Sequence, residues 1–550
     1  MNDIETTLLR SEKRFLRGHN VRRVLETLTK ADSLTIYCGA GVSINRTGLT
    51  WPKLIKRLAD YFYAQHERGR LTPPDPEEVE VLLNALGPEG TATIMHGLHV
   101  DTAGKGWPDF QQKIGARLAQ DLYSGNSWEE GRLARSITNL ARGLAHQGKK
   151  VSIITTNYDY FLEERWILDR ESLPDTTPNL KVYVLNKDGT YQLLKNRPGE
   201  ETAPGSAGVS VDLTYLHGRV SPSDSLGNSA LVISEHDYAK YRSSIESRLQ
   251  ERFNDDESLL IVGSSLSDGP LVHSLIRTAT EKASSQRVCV MPIESYQFSN
   301  NYDIEHQRYI NHLEARARSL GLSLQLADFK CQVAQLVEEV TLSLVAQARG
   351  TKYKPIRYGN RLVNWWEEWS KSSLAQDHQK LQRKLSELLE ATLDLVDKQG
   401  ERHDSGEHFK LELWVRRNPV LNRELVLWAT SQAVLTDREF LNSQEIERSS
   451  KISSVVALTE GRAIHKDTSE IRGETPGGIV RRWNSYFSVP VYIRSAYNSR
   501  LPVGVLTIAS SAPANKSILP PRDEKKADLM LHAMIGTARD WLKTPSSLRE

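Results

Sequence analysis

Leu34-Thr35-Ile36-Tyr37-Cys38 followed by Gly39-Ala40-Gly41-Val42-Ser43 is the stretch on which the fold turns. An apolar run that stops at a glycine-rich turn predicts a buried strand handing the chain to a helix. Glycines at such a turn let the backbone approach a ligand, and exposed amide groups there suit a pyrophosphate. As a G-x-G-x-x-G pattern the stretch fails at its last position, where Ile44 stands, so it is a poor match to an ordinary dinucleotide fold.

Three downstream stretches have the same form: Ile153-Ile154-Thr155-Thr156-Asn157-Tyr158-Asp159, Leu213-Thr214-Tyr215-Leu216-His217-Gly218 and Leu259-Leu260-Ile261-Val262-Gly263-Ser264-Ser265-Leu266. Each is a short, mostly apolar run ending in polar or small residues. Runs of this kind separated by helical pattern predict a parallel sheet covered on both faces, whose ligands bind beyond the carboxyl ends of the strands. Singly, Thr-Asn or His-Gly pairs are ordinary turn chemistry. In this order, four polar strand ends converge on one crevice.

The order Gly-Ala-Gly-x-Ser, Thr-Asn-x-Asp, His-Gly and Gly-Ser-Ser over roughly residues 20 to 340 resembles the sirtuin family, which uses these motifs to hold NAD. Protein-deacylating sirtuins also carry two Cys-x-x-Cys pairs on a structural zinc. Here the cysteines are Cys38, Cys289 and Cys331, so a four-cysteine site cannot be built, and no metal is expected. The Asp-Phe-Arg that usually follows the glycine turn is replaced by Thr47-Gly48-Leu49-Thr50-Trp51-Pro52. Both departures resemble the bacterial sirtuin-like branch that hydrolyses NAD as an antiphage effector.

The resemblance implies NAD as substrate and roles for particular residues. Asn157 would bind the nicotinamide ribose or the attacking water, since an amide both donates and accepts without changing charge. Asp159 would orient that amide or sit as negative charge near the developing ribosyl cation. His217 would be the base. Gly39, Ala40, Gly41 and Ser43 would contact phosphates, with Thr156 beside them, and Gly263, Ser264 and Ser265 would reach the adenine-side ribose. Each has a blander reading: Asn157 and Asp159 as a turn capping the next helix, His217 as a satisfied core histidine, and Ser264 and Ser265 as helix caps. The function expected from this is NAD hydrolysis to nicotinamide and linear or cyclic ADP-ribose, regulated by the C-terminal domain, with NAD-dependent protein deacylation or ADP-ribosyl transfer, and non-catalytic sensing of NAD or a nucleotide, as the alternatives.

The 550 residues are too many for one core. The 71 basic against 69 acidic residues leave a net charge of +2, which gives no overall field for nucleic acid. Three cysteines fit a reducing compartment, and no signal segment or membrane-length apolar run is visible, so a cytoplasmic protein is expected.

The chain therefore divides, as an expectation, into three parts. Residues 1–349 form an α/β, Rossmann-like parallel sheet, with helical pattern over 1–31 and a helical insertion over about 52–147 that caps the crevice. Helical pattern over 333–348 closes this part. Residues 350–404 are a linker and an amphipathic helix carrying Leu374, Leu381, Leu385, Leu388, Leu389 and Leu395, either a short coiled coil or a helix docked on its own domain. Residues 405–550 alternate in short strands and form an α+β domain. Its Val489-Pro490-Val491 run, followed past a polar Asn498-Ser499-Arg500 turn by Gly504-Val505-Leu506-Thr507-Ile508, resembles the end of a GAF domain. That resemblance implies a sensory or assembly role, with a small-molecule or phage-derived trigger. The leucine-rich helix and Trp365, Trp366 and Trp369 make a homo-oligomer an expected state.

Overall fold

The computed structural model describes residues 19–544, apart from 68–75, 104–105, 124–130, 173–177, 195–209, 223–228, 254–256, 280–285, 294–301, 328, 352–356, 397–405, 418–423, 433–442, 447–449, 473–481, 495–499 and 522. Of the helical pattern expected over 1–31, residues 1–18 lie outside the described residues, as does most of the 498–500 turn. The chain forms two compact units, one mainly Val24–Met291 and the other mainly Leu326–Glu550.

The first unit is built on a mostly parallel eight-stranded sheet. Its strands are β1 (Ser33–Cys38), β2 (Lys150–Thr155), β3 (Asn179–Leu185), β4 (Tyr191–Leu193), β5 (Ser210–Tyr215), β6 (Ser258–Val262), β7 (Arg287–Pro292) and β8 (Ser323–Ala327). They lie in the order β4-β3-β5-β2-β1-β6-β7-β8. β3, β5, β2, β1, β6 and β7 pair in parallel, while β4 turns back antiparallel on β3 across the Asn186–Gly189 turn. Leu34–Cys38, Val151–Thr155 and Leu259–Val262 are buried throughout, as strands covered on both faces must be.

The chain leaves β1 toward β2 on one side and later returns to β6 on the other. The strand order thus reverses at β1, which is where open α/β sheets form their ligand crevice. One face carries Tyr37, Ile154, Leu259 and Ile261 against Tyr241, Ile245 and Leu249 of helix Glu235–Gln250 and Leu271 and Leu275 of helix Gly269–Arg277. Helix Arg132–His146 packs on β2 and β5.

Between β1 and β2 the chain forms helices Trp51–Glu67, Pro76–Ala103 and Trp107–Tyr123, the expected insertion. Their apolar sides make a separate core of Ile55, Leu58, Phe62, Met95, Phe110 and Ile114, which reaches down to Tyr158, Val220 and Leu231 at the strand ends. Helix Pro76–Ala103 breaks at Gly87 (φ 73°, ψ 177°), and Pro88 and Glu89 follow on the new axis.

The second unit is an antiparallel sheet of β9 (Phe409–Arg417), β10 (Glu424–Thr430), β11 (Ser443–Glu445), β12 (Ile464–Asp467), β13 (Ser485–Arg494) and β14 (Arg500–Ser510), ordered β11-β10-β9-β14-β13-β12. The leucine-rich helix, His378–Val396, is docked on its own unit: it packs on β9, β10 and helix Glu524–Leu542 with Leu381, Leu385, Leu388, Leu389 and Leu393 buried. Trp365 and Trp369 are core residues, stacked at 5.7 Å, and their indole N–H groups donate to Leu542 O at 2.7 Å and Trp541 O at 2.9 Å. Helix Lys330–Ala348, expected to close the first part, groups instead with the second unit, where Lys330 pairs with Glu460. Its apolar positions match helix Ser453–Glu460, a partner far along the chain that periodicity cannot identify.

Candidate functional site

The carboxyl ends of the four motif strands are level. Cys38 is paired with Thr155 and with Val262, and Thr155 with Tyr215. Gly39, Thr156, Leu216 and Gly263 therefore leave the sheet together, and Asn157 and His217 stand two residues beyond the same rung on neighbouring strands.

The glycine turn is held by the backbone of β6. Gly39 N donates to Val262 O at 3.0 Å and Gly41 N to Gly263 O at 2.8 Å. The segments are so close that a Cβ on Gly39 would lie 2.5 Å from Gly263 O. Gly263 itself has φ +66°, with its own absent Cβ 2.7 Å from Val42 N. The first glycine thus serves strand-to-strand contact, and the amides of Gly39, Gly41, Val42 and Ser43 are bonded within the protein. Ala40 is the exposed residue of the turn.

Ser43 makes side-chain bonds to two residues of the β2 end. Its buried hydroxyl donates to Asp159 Oδ2 at 2.5 Å and accepts from Asn157 Nδ2 at 2.8 Å. A relay Asn157–Ser43–Asp159 results, with Asp159 acting on the amide through the serine. Asp159 is buried, and burial raises its carboxyl pKa against the lowering by the Ser43 bond, the Phe161 amide and Arg46. Asp159 Oδ1 accepts from Phe161 N at 3.3 Å, so the plain turn contact exists alongside the relay. Tyr158 lies between the two polar residues and its hydroxyl donates to Val232 O at 2.6 Å. It is part of the insertion's core, and so anchors Asn157 and Asp159 on either side of it.

His217 is buried, its ring edge-on to Tyr238 at 5.3 Å. Its carbonyl accepts from Val232 N at 2.9 Å. The next residue has φ +98°, and a Cβ there would come 1.9 Å from Ala230 O, which explains why glycine follows the histidine. Burial lowers the imidazole pKa below its ordinary 6.5, opposed by Asp268 and Glu89. The ring is therefore neutral near neutral pH, the state a base requires.

Thr156 is half-buried and bonded to Tyr37. Ser264 Oγ accepts from Leu266 N at 3.1 Å, and the exposed Ser265 bonds Ser267 at 2.7 Å. Neither serine caps the following helix, because Asp268 does, accepting from Leu271 N. Leu266 has φ 58°, an uncommon conformation for a branched residue, and it sets the path of the loop from Gly263 to Asp268.

Three neighbours were not singled out from the sequence. Asp268 lies 3.5 Å from His217, Tyr158 anchors the Asn157 turn, and Glu89 faces the site from the insertion with its carboxylate 3.4 Å from the Trp51 indole nitrogen. Asp268 was legible only as the fifth residue after Gly263, and Glu89 only as the residue after a Gly-Pro break.

Residues 151–316 match the family model described as SIR2-like domain. This match spans β2, β5 and β6, hence Asn157, Asp159, His217 and Gly263, and marks this stretch as similar to SIR2-like, NAD-related domains. No curated protein matches the chain. Among the described residues, no helix is long and apolar enough to cross a membrane.

Proposed function

We propose that this protein is an NAD hydrolase that cleaves the bond between nicotinamide and ribose. The observation carrying this reading is the common level of the four strand ends, which sets Asn157 and His217 side by side next to the glycine turn. Leaving-group departure moves positive charge from nicotinamide to the ribose, so a site contributes by fixing the ribose, excluding water and supplying a base. Asn157, held by Ser43 and Asp159, fixes the ribose or the attacking water. His217, neutral and buried, takes the proton. Ala40 faces the phosphates, and Gly263, Ser264 and Ser265 border the adenine-side ribose.

The cell's NAD pool is essential, so such an activity is held off until needed. We assign that control, in an antiphage role, to the second unit, whose six-stranded antiparallel sheet and flanking helices agree with the GAF-like reading of its sequence. Its trigger would be a small molecule or phage-derived component, and self-association is part of the same proposal. The compact unit that begins near residue 326 supports counting Lys330–Ala348 with this proposed regulatory part.

The test is nicotinamide release from NAD by the full chain, with lysate from phage-infected or uninfected cells. Wild type is expected to release nicotinamide and the Asn157→Ala and His217→Ala variants to lose it. Both variants turning over like wild type, or labelled ADP-ribose remaining on protein, would overturn hydrolysis by these residues.

A further inference from the structure

Asp268 carries two oxygens with different surroundings. Its Oδ2 accepts from Leu271 N at 3.0 Å and from the Tyr37 hydroxyl at 3.4 Å. Its Oδ1 is buried with no hydrogen-bond partner, and so is Nε2 of His217. These two atoms lie 3.5 Å apart, within ion-pair range but not aligned as a hydrogen bond. A buried carboxylate oxygen facing a buried ring nitrogen at this distance favours a ring proton on that nitrogen.

Resting on the hydrolase reading above, we propose that Asp268 is a positioning residue that fixes the tautomer of His217, so that Nε2 carries the proton toward Asp268 and Nδ1 is the base. The reaction then balances simply. Water attacks ribose C1′, the C1′–N bond breaks with its electron pair passing to the nicotinamide ring nitrogen, and Nδ1 takes the water proton. The imidazolium formed lies against the Asp268 carboxylate, which holds it until the proton passes to solvent. ADP-ribose, nicotinamide and one proton are the products.

Other groups face the ring as well. Glu89 contributes negative charge from the insertion, and Tyr238 of helix Glu235–Gln250 packs edge-on. Neither has an orphaned atom aimed at Nε2. Tyr37, buried and bonded to both Thr156 and Asp268, links the β2 end to the same carboxylate.

Asp268→Asn in the full chain isolates the charge. Asparagine caps a helix as well as aspartate does, so the cap on Gly269–Arg277 survives. With histidine-labelled protein, the ring carbon and nitrogen resonances of His217 are assigned by their loss in His217→Gln and followed against pH. The expected result is a lower His217 titration midpoint in Asp268→Asn and a change in its neutral tautomer. Nicotinamide release is expected to fall at least ~10-fold in kcat, with KM within about twofold, and its acid limb to move to lower pH. An unchanged His217 titration and tautomer would overturn the pairing, as would a raised KM at unchanged kcat, which marks direct substrate contact instead. If wild type releases no nicotinamide under any condition, the hydrolase reading fails, while the resonances still decide the pairing.

Discussion

Replacing Ser43 by alanine removes one hydroxyl from the middle of the relay and is the sharpest structural perturbation of the site. The hydroxyl is bonded on both sides, to Asp159 at 2.5 Å and from Asn157 at 2.8 Å. A hydrogen bond to a charged group contributes about 1.5–3 kcal/mol, and a buried donor left unpaired costs about 1–3 kcal/mol. The two losses overlap when neighbours relax, so the expected destabilisation of the first unit near neutral pH is about 3 kcal/mol.

The pH dependence follows from Asp159. Its native pKa is raised above 3.8 by burial, so the folded chain holds this proton more tightly than the unfolded chain. Stability from this group is therefore present at low pH and falls as pH rises from 3.8 through the native value. Ser43→Ala removes an influence that lowers that pKa, so its penalty is largest above this window. Near pH 3, below the ordinary 3.8 and so with the carboxyl protonated, about 1 kcal/mol should remain. Urea unfolding of the variant and wild type at both pH values measures the difference. Since the Asn157 amide also loses its anchor, kcat for nicotinamide release should fall about 10²-fold. Equal destabilisation at both pH values with unchanged kcat would refute the relay.

Gly218→Ala meets both the positive φ and the Ala230 carbonyl 1.9 Å away, so soluble yield should collapse; a folded variant with normal thermal stability would contradict the His-Gly geometry. The lowered His217 pKa places the acid limb of kcat/KM below 6.5, with activity retained as pH rises through neutrality, and a limb above 6.5 would contradict the buried neutral base. Trp369→Ala empties a stacked core position at the cost of about 3–5 kcal/mol to the second unit, read as a lower thermal midpoint for that unit. A shift below that of a typical surface substitution would place the tryptophan outside the core.

Much of the first unit was legible because its strands are short apolar runs bounded by turn residues. Leu34–Cys38, Ile153–Thr155 and Leu259–Val262 each fall within the expected strands. The part of Ser43 was not legible, since its two partners lie more than a hundred residues away and the pattern Gly-x-Gly-x-Ser shows only that a small polar group follows a turn. Asp268 carried an ordinary helix-cap signature, and nothing local shows that its second oxygen faces His217. Helix Lys330–Ala348 was visible as a helix, but which unit its buried face joins depends on helix Ser453–Glu460.

The most direct measurement is a crystal structure of the full-length His217→Ala variant with NAD. The nucleotide is expected across the carboxyl ends of β1, β2, β5 and β6, its nicotinamide ribose within hydrogen-bond reach of Asn157. NAD bound anywhere else, or density for it absent from that crevice at saturating concentration, would contradict the meeting of these four strand ends as a nicotinamide nucleotide site.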